Sequence, residues 1–396
     1  MFAALGLSRF SYTAILPFMQ DGLGLSNTQA GGLASANLAG YLLMALVGGA
    51  LISHLGPRRV IPALLVLAAA GMLITGLAGS YALAAVGRLL AGLGCAANVG
   101  AHAMMATWFS KRRRGLATGF VATGASLGLV VSGPLVPRIV RSFGDSGWRV
   151  TWYVLAVGVL AIAILAYVLL RDRPGYVPDG TTRHADRPRE DWKKLYFSGA
   201  LWHLSAIYVA FGFAYMIYMT FFTKRLIADL GYTPERAGTL FMLLGLVTLV
   251  CGVLWGWISD AIGRKASIVA ILLIQAVSYI LFALWTDPAG LITSAVLFGL
   301  TGWGIPIIMA AVCSDIVGTA LAPAAYGFLT VFHGLGQAAG PYVAGRLADA
   351  LPSFTWSYVL AAGVALLGAI GALLLRRSAP SATAAECPPA EFPPPF

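Results

Sequence analysis

Arg9 stands inside an otherwise apolar run, GLSRFSYTAILPFMQ from Gly6 to Gln20. A cation near the middle of a bilayer costs about 2.5–3.5 kcal/mol on insertion scales, so it faces a water-filled cavity or a partner. A guanidinium also matches the two oxygens of a carboxylate, which makes Arg9 the candidate for reading an anion. Tyr12, three residues on, shares its helix face. FAY at Phe213 to Tyr215 aligns with FSY at Phe10 to Tyr12, so Tyr12 and Tyr215 are expected to face each other across a cavity, with Tyr218 beside them. Three more polar pairs have helical spacing: Asn37 with Tyr41, Asn98 with His102, and His333 with Gln337. They could bind substrate or hydrogen-bond between helices. Histidine titrates near neutrality, so His102 or His333 could carry a proton. Asp21, Asp260, Asp315 and Asp349 all fall near predicted helix ends.

The elements that must position these residues are set by composition. Of 396 residues, 59% are hydrophobic and only 10% are charged, with mean hydropathy +0.82. Soluble domains are about one-quarter charged. The chain is therefore read as an all-α integral membrane protein. No sustained alternation supports a β-barrel. A net charge of +11 could suggest nucleic acid, but the basic residues form short runs between apolar segments, as topology signals do. Cys95, Cys251, Cys313 and Cys387 have no metal-ligand or CxxC spacing, and no metal, cofactor or disulfide is expected. A membrane-embedded enzyme would need convergent catalytic groups, and no such spacing is present. No cleavable signal peptide is recognised. The first apolar segment starts at Met1 itself, so part of the first helix is expected to precede it.

Apolar runs of spanning length predict twelve helices near 1–20, 28–52, 60–79, 81–107, 116–140, 149–170, 197–222, 235–258, 267–286, 289–314, 324–346 and 354–375. They group as two six-helix bundles, 1–170 and 197–376, joined by a charged, proline-bearing linker over 171–196. A proline-rich tail, 377–396, is expected to be disordered. Lys and Arg collect on the side holding Arg58, Arg59, Lys111 to Arg114, the linker, Arg264, Lys265, Arg376 and Arg377. Both termini are thus placed in the cytoplasm. The halves repeat: SNTQAG at Ser26 matches TPERAG at Thr233, SHLGPR at Ser53 matches DAIGRK at Asp260, and Gly133-Pro134 matches Gly340-Pro341. Parallel repeats imply a site between them near the midplane. GLGCAA at Gly92 and GLGQAA at Gly334 partly match dinucleotide-binding glycines, but each lies inside a span and reads as packing.

GWISDAIGRK at Gly256 to Lys265 resembles the loop signature of the major facilitator superfamily, with a degenerate first copy, GALISHLGPRR, from Gly49. RLLAG at Arg88 and the glycine series Gly119, Gly124, Gly128, Gly133 with Pro134 are similar to further marks of that superfamily. The resemblance covers nearly the whole chain. It implies alternating access between two bundles, and a structural or proton-coupling role for Arg88. It also implies a conformational latch in which Asp260, Arg264 and Lys265 meet Arg112 and Arg113 at the start of the fifth span. WFSKRRRGLATGFVATGAS at Trp108 to Ser126 resembles the monocarboxylate and oxalate transporters. Those carry cations in the eighth and eleventh spans, where this sequence has none before Asp260 and has His333 and Gln337. The first eighty residues, with LPFMQDGLGLS at Leu16 to Ser26, are similar to poorly characterised bacterial permeases with an arginine in the first helix. The expected function is a proton-coupled secondary transporter of a small organic anion in the bacterial inner membrane, working as a monomer. Export of drugs or amphipathic metabolites, and a non-transporting sensor, are the alternatives.

Overall fold

A computed structural model describes residues 1–109, 111–172, 198–351 and 353–375. The tail expected over 377–396 and all but the first two residues of the linker expected over 171–196 lie outside the described residues. The described chain is helical with no strand. In hydrocarbon every backbone polar group must be satisfied within its own segment, and a helix does that.

Twelve helices cross between two ends of the molecule among the described residues. They are α1 (Phe2–Phe10, π-helical, then Ser11–Leu23), α2 (Asn27–Leu55), α3 (Pro57–Leu77), α4 (Tyr81–Cys95 and Ala97–Trp108), α5 (Lys111–Phe143) and α6 (Gly147–Leu169). The second six are α7 (Gly199–Lys224), α8 (Pro234–Ile262), α9 (Arg264–Leu284), α10 (Pro288–Thr301, continuing over 304–317), α11 (319–350) and α12 (Thr355–Leu374). Gly318, at φ 78° and ψ 166°, separates α10 from α11. α5 starts at Lys111, earlier than hydropathy predicts, because a helix can continue past the hydrocarbon edge with Lys and Arg in the polar layer.

The internal repeat is visible in the backbone. α2 and α8 each have 29 residues, α3 and α9 each have 21, and both pairs are joined by one glycine at positive φ, Gly56 (81°) and Gly263 (90°). Ser26 caps α2 through Gln29 in a reciprocal capping box, and Thr233 caps α8 at the matching position.

The halves meet at the end opposite the basic loops, hereafter the closed end. A Cβ on Gly31 of α2 would lie 2.1 Å from the Pro341 carbonyl oxygen of α11, and one on Gly238 of α8 would lie 2.2 Å from that of Gly133 in α5. Gly31 and Gly238 are repeat mates, so one contact is made twice about the pseudo-twofold. Asp349 of α11 accepts hydrogen bonds from the backbone N–H groups of Asn27 and Thr28, both 2.8 Å, and so caps α2 from the other half. Lys224 pairs with Asp21 at 3.4 Å, joining α7 to α1. At the basic end the picture reverses: a Cβ on Gly48, Gly49, Gly119, Gly256 or Gly327 would meet nothing within 4 Å. The halves are packed at one end and apart at the other.

Candidate functional site

Arg9 lies in the π-helical stretch of α1, where the Ser11 N–H bonds back five residues to the Gly6 carbonyl. Such wide turns are uncommon and concentrate at functional sites. They also re-aim side chains relative to an ordinary helix. Gly6 and Gly128 let α1 lie backbone to backbone on α5, since a Cβ on Gly128 would sit 2.0 Å from the Gly6 Cα. Arg9 is 8% exposed, and its Nη2 donates to Gln337 Oε1 at 2.8 Å, from the first half to the second. Its guanidinium carbon lies 5.2 Å from the Tyr41 ring centroid and 5.7 Å from that of Phe10. Arg9 Nε has no hydrogen-bond partner.

Gln337 and His333 sit one turn apart on α11. His333 stacks on Tyr208 at 4.1 Å and on Phe211 at 5.3 Å, with its Nδ1 3.4 Å from the Tyr208 carbonyl oxygen. Gly212 makes this possible: a Cβ there would lie 2.5 Å from the His333 carbonyl oxygen, so α7 and α11 touch at the backbone. Tyr215, one turn along α7, stacks on Phe211 and Phe298 and lies 5.8 Å from the Trp303 ring, and its buried hydroxyl has no hydrogen-bond partner. Phe10 meets Trp303 at 5.5 Å, bringing α1 to α10. Arg9, Tyr41, Tyr215, His333 and Gln337 are thus gathered where the halves meet.

Four other expected residues are committed elsewhere. Tyr12 donates to the Ala30 carbonyl at 2.7 Å and takes the Arg88 guanidinium over its ring at 4.5 Å. Tyr12 and Tyr215 make no ring contact with each other. Arg88 donates to the Ser8 carbonyl at 3.1 Å and also lies over Trp152. Asn37 Nδ2 donates to the Arg88 carbonyl at 3.1 Å, which ties α2 to α4. Tyr218 shares a hydrogen bond of 2.8 Å with Ser294 inside the second half, away from Arg9. Asn98 is buried with its Oδ1 unpartnered, and His102 is half-buried near the start of α1.

At the basic end, Asp260 pairs with Arg264 at 2.6 Å, Arg264 also lies 3.9 Å from Asp315, and Lys265 donates to the Leu375 carbonyl. All these contacts stay in one half. Arg113 is exposed, and the side chain of Arg112 lies outside the described residues. Other arginines are engaged within their own half: buried Arg225 donates to the Phe282 and Ala283 carbonyls, to Thr355 and to Asp229, and half-buried Arg149 donates to the Gly76 and Ala78 carbonyls. The aspartates and glutamates of the described residues stand at helix ends or in loops, so no carboxylate offsets Arg9 or Arg88 within the spans. No cluster that could hold a metal occurs among the described residues.

Sequence reading misses Tyr208, which stacks on His333, and Tyr326, half-buried on α11. Their signal is only aromatic spacing, which packing produces equally well. Trp303 and Thr220 are missed for the same reason: neither is an unusual residue in an apolar helix.

Twelve spanning helices in two repeat-related sets of six, with polar groups gathered between them, define a membrane transporter of the major facilitator fold. The family model described as "Uncharacterised MFS-type transporter YbfB" matches residues 1–373, and the chain belongs to that family. It is a transporter and not an enzyme. The chain is 25% identical to a probable sulfoacetate transporter of Cupriavidus necator, over 93% of this chain and 90% of that one. It is 24% identical to a hexuronate transporter of Bacillus subtilis, over 96% and 94% of the two chains. Among solved structures, a bacterial homologue of the human lysosomal transporter Spinster, inward-facing and unoccupied, superposes with a TM-score of 0.73 at 16% identity, covering 94% of this chain and 93% of that one. A point mutant of the nucleoside transporter NupG gives 0.73 at 14% identity over 94% and 98% of the chains. These two establish the shared fold.

Proposed function

We propose that the chain carries a small organic anion, of monocarboxylate type, across a bacterial cytoplasmic membrane by alternating access, coupled to a proton. One observation carries this reading: Arg9 is buried at the junction of the halves with a neutral amide as its hydrogen-bond partner. A guanidinium so placed has donors to offer and no carboxylate competing for them. Tyr41 supplies an aromatic wall, and the free hydroxyl of Tyr215 is a further donor. The relatives support an anion, since they are named for sulfoacetate, hexuronate, monocarboxylates, nitrate and tartrate.

The excess of Lys and Arg at the open end assigns that end to the cytoplasm, so the conformation described is inward-facing. His333, beside Arg9, and His102 are the groups proposed to carry the proton. The latch from Asp260 to the start of α5 belongs, in this reading, to the opposite conformation, in which the basic ends meet. Uptake of labelled sulfoacetate, tartrate, glucuronate and lactate into proteoliposomes, with and without an imposed pH gradient, tests the proposal. Arg9→Gln should lower the rate at subsaturating substrate by about tenfold to a hundredfold, the scale of one charge-assisted hydrogen bond. Unchanged transport in that variant, or transport of neutral or cationic compounds alone, would sink it.

A further inference from the structure

On the closed-end side of Arg9 lies a small cavity between α1, α2, α4 and α7, with room for about one water. Its lining includes Arg9, Asn37, Arg88 and Thr220, every one of them more than nine-tenths buried. Each of these four also has an unpartnered polar atom: Arg9 Nε, Arg88 Nε, Thr220 Oγ1 and Asn37 Oδ1. Two arginines therefore line one small space, and no aspartate or glutamate is among its lining residues. Three of the four unpartnered atoms are donors or can become donors by rotating a hydroxyl. The exception, Asn37 Oδ1, is a neutral dipole, and two full positive charges outweigh it in a low-dielectric interior.

We propose that the space between Arg9 and Arg88 is a binding site for one small inorganic anion of halide size, distinct from the place where the transported anion docks. A buried cation with no counter-charge is costly, and here two share a lining that water can hydrate only as a dipole. A halide meets both guanidiniums and the Thr220 hydroxyl at once. It also holds Arg9 in position, so that its Nη2 keeps Gln337 while the open side of the guanidinium faces the transported anion. Arg9 is common to this site and to the transport reading, but the two stand separately, because the halide is detected with no organic anion present.

The test uses the purified full-length protein and bromide as probe. Crystals grown in sodium bromide should give an anomalous peak between the Arg9 and Arg88 side chains. Chloride and bromide titrations should raise the melting midpoint with saturation. Thr220→Val keeps both charges and the side-chain volume, and should raise the half-saturating halide concentration by about tenfold, the scale of one lost hydrogen bond to an ion. Arg88→Gln should abolish saturation; if that protein does not fold, Thr220→Val still decides. Water without anomalous signal at that position, or identical saturation in wild type and Thr220→Val, overturns the proposal.

Discussion

At the scale of the residue, what separates one polar side chain from another here is whether its hydrogen bonds are used up. Tyr12 and Tyr218 both have partners, at 2.7 and 2.8 Å, whereas the Tyr215 hydroxyl has none. Tyr215→Phe removes a group that supports nothing in the fold, so the melting midpoint should stay within the change expected of about 0.5 kcal/mol. If that hydroxyl meets the transported anion, the half-saturating substrate concentration should rise by about fivefold or more; equal loss of both stability and uptake would show instead that it is structural. The sequence marks Arg9, His333 and Gln337 as odd in apolar helices, and the structure gathers them. It does not rank Tyr215 above Tyr12 and Tyr218, since rank depends on which face of α1 or α7 meets the other half, and the π turns of α1 shift that register. Tyr208 and Trp303 are invisible for a simpler reason: an aromatic residue in a membrane helix is ordinary.

At the scale of the element, paired glycines decide where helices of different halves touch. The repeat is legible in sequence as GP at Gly133 and Gly340, yet that Gly31 presses on the Pro341 carbonyl while Gly48 presses on nothing needs the three-dimensional arrangement. Local patterning fixes the length and caps of α2, and says nothing of which end of it is gripped. Gly31→Ala should destabilise this conformation by about 1–3 kcal/mol, because a methyl group enters space held by backbone. Gly48→Ala on the same helix should be neutral or stabilising by about 0.5–1 kcal/mol through helix propensity. Melting midpoints of the two variants in one detergent check the contrast, and equal values would refute this account of the closed end.

At the scale of the whole molecule, the two halves are joined at one end by a few directional contacts laid over a close-packed glycine seam. Asp349 caps α2 across that seam with two backbone bonds and one to the Thr28 hydroxyl, while the residue itself stays exposed. Asp349→Asn removes the negative charge at that helix N-terminus, worth about 1 kcal/mol, or roughly fivefold in population. Spin labels at positions 145 and 235, exposed at the closed end of either half, should then show a larger long-distance fraction than in the parent protein. An unchanged distribution would place the strength of the closure in the glycine seam alone. The two buried arginines, Arg9 and Arg88, have an electrical consequence as well. With no carboxylate among the described residues to offset Arg9 and Arg88, the unloaded protein carries net positive charge within the membrane field. Each elementary charge moved through the full field is worth about 2.3 kcal/mol per 100 mV. In the proposed reading a bound anion cancels part of that charge, membrane voltage drives the loaded and unloaded forms with different force, and the resting potential of the cell itself helps set the direction in which the protein resets.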